Sequence, residues 1–80
     1  MSWYRFHATI DGTNAASILH PLGFRFFESS DSGKKIYVDY NVLAIECAGN
    51  IDIWSEYRAV IDPLQKRVPG ASEVETVTIS

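Results

Sequence analysis

Residues 35–54, KIYVDYNVLAIECAGNIDIW, decide the fold, because the alternation of apolar and polar residues changes phase inside this stretch. Apolar side chains occupy the even positions from Ile36 to Val42 and then the odd positions from Leu43 to Cys47. Successive side chains on a β-strand point to opposite faces, so a strand has a period of two. The flip therefore predicts either one strand with a bulge between Val42 and Leu43 or two separate short strands.

The residues that follow this extended region predict a helix. Gly49 breaks the strand, and Asn50 is a favoured helix N-cap. Beyond it, apolar residues recur at spacings of three and four, as in an amphipathic helix, and Pro63 is expected to end or kink that helix near Asp62. These apolar residues are Ile51, Trp54, Tyr57, Val60, Ile61 and Leu64.

The rest of the chain supplies four more elements. Residues 3–10 alternate and predict a half-buried strand, and residues 15–20 predict a short helix. Residues 24–28 and 73–79 predict two further strands, the last of them at or near a sheet edge. Gly23 follows the first helix and is expected to cap it in the left-handed conformation. The inward residues of the first strand are predicted to be Tyr4, Phe6, Ala8 and Ile10.

The predicted element order is β-α-β-β-α-β in a single domain, residues 1–80. Two short helices cannot cover both sides of such a sheet, so we expect an α+β fold in which a four-stranded antiparallel sheet carries two helices on one face. This order resembles the ferredoxin-like superfold over the whole chain. That fold supports many unrelated functions, so the resemblance by itself implies no activity.

The composition indicates an acidic, folded protein. The formal charge is −3 and 46% of the residues are hydrophobic. A net negative chain lacks the basic surface that drives most nucleic-acid binding, so we expect no direct nucleic-acid contact. The N-terminus does not resemble a signal peptide, and no apolar run approaches the roughly 20 residues that span a bilayer. We therefore expect a cytoplasmic protein with no membrane contact.

We predict neither a catalytic site nor a cofactor or metal site. Cys47 is the only cysteine, which excludes an intrachain disulfide and a cysteine zinc cluster. His7 and His20 have no nucleophile or carboxylate at a recognisable partnering interval, and two histidines alone are a weak metal signal. We expect Cys47 to be a buried structural thiol and His20 to interact with the end of a helix.

Five residues are predicted to bind a protein partner. Trp3 and Tyr37 are expected on the uncovered face of the sheet, as an apolar patch. Asp52 and Glu56 are expected on the outer face of the second helix at positions i and i+4, where like charges repel slightly. Asp31, in a polar loop, would extend this acidic stripe. We therefore expect a basic protein partner, recognised by charge and an aromatic anchor.

In size and acidity, and in carrying no catalytic motif, the chain resembles the small phage-encoded inhibitors called anti-CRISPR proteins. The resemblance is of type only, because no residue motif defines that group. It implies a non-enzymatic inhibitor that occludes a basic nucleic-acid-binding partner, such as a CRISPR effector complex, in the host cytoplasm. We also expect a homodimer that uses the uncovered sheet face or an edge strand.

Two families with the same element order supply alternative functions. ACT domains bind amino acids at a dimer interface, often near a glycine after the first strand, and Gly12 lies in the corresponding region. This resemblance implies a small-molecule-binding regulatory domain. Acylphosphatases hold phosphate on a glycine-bounded loop ending in Phe-Arg, similar to Gly23-Phe24-Arg25, which implies an acylphosphate-hydrolysing enzyme. In that family the loop follows the first strand, where this chain has no arginine.

Overall fold

The computed structural model describes residues 2–10 and 14–78. Within these residues, six strands and two α-helices form the fold. In chain order they are β1 (Ser2–Thr9), α1 (Ala15–Leu19), β2 (Arg25–Ser29), β3 (Lys35–Asp39), β4 (Val42–Cys47), β5 (Asn50–Ser55), α2 (Arg58–Arg67) and β6 (Glu75–Thr78). The strands form one antiparallel sheet in the order β2-β3-β4-β5-β1-β6.

The ferredoxin-like prediction is wrong, because the sheet has six strands rather than four. The first error lies in residues 50–55, which were predicted as helix and form β5 instead. The second lies in the strand count: the four-stranded order counted residues 35–47 as one strand, and they form β3 and β4, which confirms the alternative of two short strands. The resulting four-strand meander from β2 to β5 replaces the predicted hairpin and helix.

Turn chemistry explains why residues 50–55 are a strand. Ala48 and Gly49 both have positive φ angles, 52° and 83°. Two such residues make the type I′ turn that suits the twist of a β-hairpin. Cys47 therefore pairs with Asn50. Ile51 and its neighbour two residues on, Ile53, then point to one face and are fully buried. Ile51 and Trp54 fit the spacing of a helix, but Ile51 and Ile53 fit the period of two of a strand, and the strand forms.

The phase flip marks a second tight turn between separate strands. Asp39 pairs with Val42, so Tyr40 and Asn41 form a two-residue connection. Tyr37 was predicted on the outward face, and this prediction is wrong. Tyr37 lies on the core face of β3 and is only 3% exposed. It pairs with Ala44, which is fully buried on the same face.

The core lies between one face of the sheet and the two helices. Phe6 of β1 and Ile53 of β5 are paired neighbours on this face. Leu19 of α1 and Ile61 of α2 belong to the same buried cluster, so both helices pack on the same side. Each fully buried side chain of this size contributes about 1.5–3 kcal/mol through burial. No described helix covers the opposite face of the sheet.

Three local predictions are confirmed. Residues 2–9 form the first strand, and Phe6 and Ala8 are buried as expected. Gly23 takes a φ of 101° after a short 3-10 helix, His20–Leu22, and donates its N–H to the carbonyl of His20 at 3.0 Å. The last strand, β6, pairs only with β1 and forms one edge of the sheet.

The helices are short. None of those in residues 2–10 and 14–78 has the length and apolar character needed to cross a bilayer.

Replacing isoleucine by alanine should lower the free energy of unfolding by different amounts on the two faces of the sheet. Ile53→Ala, in the fully buried core, should lower the free energy of unfolding by about 2–5 kcal/mol because it removes packed methyl groups and leaves a cavity. Ile45→Ala, on the half-exposed face of β4, should cost about 1 kcal/mol or less, since it removes less buried area. Urea unfolding followed by circular dichroism measures both. Equal losses would contradict the assignment of the faces.

Candidate functional site

The face of the sheet opposite the helices carries a continuous apolar surface, which we call the uncovered face. The strand register places large apolar side chains next to each other across five strands, and all of them are half-buried. They are Trp3, Ile36, Val38, Leu43, Ile45, Trp54 and Val77. An apolar surface of this kind on a monomer commonly marks a protein or ligand contact.

The centre of the uncovered face is a shallow apolar depression of about 170 Å³. Trp3, Leu43, Ile45 and Trp54 line it. Leu43 and Trp54 are directly opposite each other on β4 and β5, so their side chains lie within packing distance. The indole N–H of Trp54 is buried and has no hydrogen-bond partner in the described part of the chain. An unpaired buried donor costs about 1–3 kcal/mol.

One charge cluster borders this depression. Arg5 binds Asp52 with an N–O distance of 2.5 Å and also binds Glu75. Its guanidinium group lies 5.4 Å from the centre of the Trp54 ring, a cation–π geometry. Burial acts to lower the pKa of Arg5, but the hydrogen bonds and charges of Asp52 and Glu75 prevail and raise it. Two carboxylates on one guanidinium leave the cluster with one excess negative charge.

A second cavity lies where the uncovered face meets the turn between β3 and β4. It has a volume of about 310 Å³, and we call it the aromatic pocket. Three aromatic residues line it, together with one acidic residue, Glu56. The aromatic residues are Trp3, Tyr40 and Tyr57. Glu56 is exposed and makes no hydrogen bond or ion pair with any other described residue.

The pocket is built from distant parts of the chain. Trp3 comes from β1, Tyr40 from the turn after β3, and Glu56 and Tyr57 from the connection between β5 and α2. Ser55 fixes that connection: its hydroxyl donates to the carbonyl of Asn41 at 3.0 Å and accepts from the Tyr57 N–H at 3.1 Å. Ser55 is fully buried, and its two hydrogen bonds connect the two segments that form the pocket.

Tyr40 is held in an unfavourable backbone conformation. Its φ angle is 50°, in the left-handed region that is rare for bulky residues. Its side chain is fully exposed, so no packing compensates for this cost. Strained residues of this kind concentrate at functional sites.

The structure brings together two of the five predicted site residues. Trp3 and Glu56 line the aromatic pocket. Asp52 is not on a helix: it lies on β5 and binds Arg5. Glu56 follows the end of β5, so the predicted i and i+4 helical stripe of Asp52 and Glu56 is wrong, because the segment is extended there. Asp31 is exposed in the β2–β3 turn, at the other end of β3 from Tyr40.

Tyr37 is a partner-binding residue by prediction and a core residue in the structure. Its ring makes edge contacts with Phe26 at 5.5 Å and His20 at 6.1 Å, centre to centre. Burial, and then the charge of Glu46, raise the pKa of the Tyr37 phenol above its ordinary value. Glu46 is itself almost fully buried on the core face of β4.

Sequence reasoning missed the residues that complete the site. Tyr57 was assigned to the apolar face of a helix, and Trp54 likewise. Tyr40 was placed in the middle of an extended region. The available signal was the Tyr40-Asn41 pair between two alternating runs, since Asn favours tight turns.

The two histidines and the cysteine lie apart from one another and do not form a common site. His20 Nδ1 lies 3.1 Å from the carbonyl of Phe24, near the end of the first helical segment. His7 is on the exposed side of β1, and Cys47 is at the end of β4, half-buried. Within residues 2–10 and 14–78, no group of three His, Cys, Asp or Glu side chains is placed to hold a metal ion. Gly12, named for the ACT-like alternative, lies outside the described residues.

Comparisons with protein-family models, with curated proteins and with solved structures find no match to this chain.

The raised pKa of Tyr37 predicts a loss of stability at high pH. A phenol whose pKa is higher in the folded state contributes stability below its unfolded value of 10.0, and this contribution disappears as the pH rises through the folded value. The free energy of unfolding should therefore fall above pH 10. Tyr37→Phe should show a smaller fall, because it removes the titrating group. Parallel urea titrations at several pH values measure the difference.

The backbone strain at Tyr40 predicts that the turn can be stabilised. Tyr40→Asn should raise the free energy of unfolding by about 0.5–1 kcal/mol, because Asn adopts a positive φ at lower cost. Phe27→Asn is the matched control: it also removes an exposed aromatic ring, but from strand β2. It should not stabilise the protein. Thermal unfolding distinguishes the two, and a destabilised Tyr40→Asn variant would refute the strain argument.

Proposed function

We propose that this protein is a non-enzymatic binding module that docks a basic protein partner on the uncovered face. The observation that carries the proposal is the apolar surface around Trp54, next to a pocket with a free carboxylate. An interface typically has an apolar centre with aromatic anchors and a polar rim. The uncovered face has this composition, with Trp3 and Trp54 near its centre.

The charges on this face favour a basic partner. The Arg5 cluster carries one excess negative charge, and Glu56 adds a second. Arg25 and Glu28, which the register places on the same face of β2, carry opposite charges and cancel. Two basic side chains, Lys66 and Arg67, lie instead at the end of α2, on the helix side of the sheet. A positive partner surface would therefore be attracted to the uncovered face.

An inhibitor that occludes a basic nucleic-acid-binding protein, as the phage-encoded resemblance implies, is the specific form of this proposal. Such an inhibitor would present carboxylates and aromatic rings where the partner holds phosphates and bases. The ACT-like and acylphosphatase-like alternatives depended on the β-α-β-β-α-β order, which the structure does not have. The structure therefore removes the basis of both resemblances.

A capture experiment with matched variants tests the docking surface. The probe is the heparin-binding protein fraction of a lysate from the source cells, since heparin retains basic nucleic-acid-binding proteins. The immobilised wild-type chain should retain a specific protein, and moderate salt should weaken the retention. The double variant Leu43→Thr/Ile45→Thr should bind at least tenfold more weakly, because it removes the apolar centre.

The control removes two exposed aromatic side chains from the edge strand β2, in the variant Phe26→Thr/Phe27→Thr. It should retain wild-type affinity. The captured protein should also lose nucleic-acid binding, measured by fluorescence anisotropy, when the wild-type chain is added. Capture that is absent, or equal for both double variants, contradicts the proposal. Light scattering that shows a dimer dissociated by Leu43→Thr/Ile45→Thr would instead assign the face to a second copy.

A further inference from the structure

The aromatic pocket has the chemistry of a receptor for a positively charged side chain. We propose that it binds a lysine or arginine side chain of the partner, an inference that rests on the proposed function and identifies what the partner inserts. Cations are attracted to the faces of tryptophan and tyrosine rings, and a carboxylate nearby adds a direct charge interaction. Trp3, Tyr40, Tyr57 and Glu56 supply both components.

The size of the pocket fits a side chain. Its volume of about 310 Å³ is at the lower end of the range for small-molecule sites, which is about 300–1,000 Å³. The remaining lining is Asn41 and three aliphatic residues, Val38, Val42 and Leu43, which would contact the methylene groups of a long basic side chain. The rings and the carboxylate would then surround its charged end.

Several exposed carboxylates, such as those of Glu28, Asp31 and Glu73, have no ion pair among the described residues, and Glu56 is the one that lines the aromatic pocket. Asp52 and Glu75 are already bound to Arg5, and Asp62 is bound to Arg58 at 3.1 Å. Glu56 has no such partner in residues 2–10 and 14–78, although it lies beside exposed aromatic rings. A cation from another molecule would therefore complete an ion pair without breaking one.

The exposed tyrosines also support a pocket that binds a cation. Four large apolar side chains are strongly exposed among the described residues, and two of them, Tyr40 and Tyr57, line this one pocket. Tyr40 is presented by a strained turn where an asparagine or glycine would be more stable. The arrangement displays aromatic rings at a cost to the fold, as expected for a site that binds a ligand.

Titration with single side-chain analogues tests the pocket directly. The probes are Nα-acetyl-lysine methylamide and Nα-acetyl-arginine methylamide, with Nα-acetyl-norleucine methylamide as the uncharged control. The readout is the nuclear magnetic resonance spectrum of the full ¹⁵N-labelled chain, in which the indole N–H of Trp3 reports on the pocket. Lysine or arginine should cause saturable shifts at Trp3, Tyr40 and Tyr57 at concentrations up to about 100 mM. Norleucine should not.

Matched variants assign the effect to the carboxylate and the rings. Glu56→Gln should weaken lysine binding about threefold to tenfold, and Tyr57→Ala by a similar factor. Asp31→Asn removes the same unit of charge from the opposite end of β3 and should leave the affinity unchanged. The Glu56→Gln substitution is on an exposed loop, so we expect it to fold normally; circular dichroism checks this.

The outcomes separate this inference from the proposed function. Equal shifts with norleucine, no saturable shift, or an unchanged affinity in Glu56→Gln would overturn the cation pocket. If Leu43→Thr/Ile45→Thr still abolishes partner capture in that case, docking on the uncovered face stands without it. If lysine binds as expected but that double variant captures the partner normally, the pocket stands as a cation site and the docking function fails.

Discussion

The two-residue turn at Ala48 and Gly49 is the constraint on which the rest of the structure depends. It pairs Cys47 with Asn50 and so fixes the register of β5 against β4. The carbonyl of Gly49 also accepts the N–H of Ile10 at 2.7 Å, and a Cβ on Gly49 would lie 3.1 Å from the carbonyl oxygen of Ile10. A slip of one residue would send Ile53 to the uncovered face and a tryptophan into the core. This turn therefore determines which face packs and which is displayed.

The sequence predicted the elements whose signal is local and unambiguous. Alternation in residues 3–10 predicted the first strand, and Gly23 was predicted to cap the first helical segment in the left-handed conformation; the structure confirms both. The helix prediction for residues 50–55 was wrong because two patterns fit the same residues. Ile51 and Trp54 have a helical spacing, while Ile51 and Ile53 have the spacing of a strand. The segment is a strand because it pairs with β1, which is more than 40 residues away in the sequence. A local pattern of residues does not reveal such long-range pairing.

The candidate site was predictable only in part, for the same reason. Trp3 was expected on a free sheet face because its strand alternates, and that argument did not depend on the rest of the fold. Glu56 was selected for a helical stripe that does not exist, and it reaches the pocket because β5 ends beside the β3–β4 turn. Tyr37 was misplaced because Ile36 and Val38 were assigned to the inward face, whereas the pairing of Tyr37 with Ala44 places Tyr37 on the core face.

Two departures from ideal local structure, at Trp54 and Tyr40, border the uncovered face. The helix side of the sheet is closely packed, with buried aliphatic and aromatic side chains of α1, α2 and the central strands. The opposite side holds the unpaired indole N–H of Trp54 and opens at its end onto the strained Tyr40. Each feature costs stability that a simple substitution, such as phenylalanine for Trp54 or asparagine for Tyr40, would remove. A small domain has little stability to spare, with a total of about 5–15 kcal/mol. Stability gives no reason for these two costs, and the proposed docking surface supplies one.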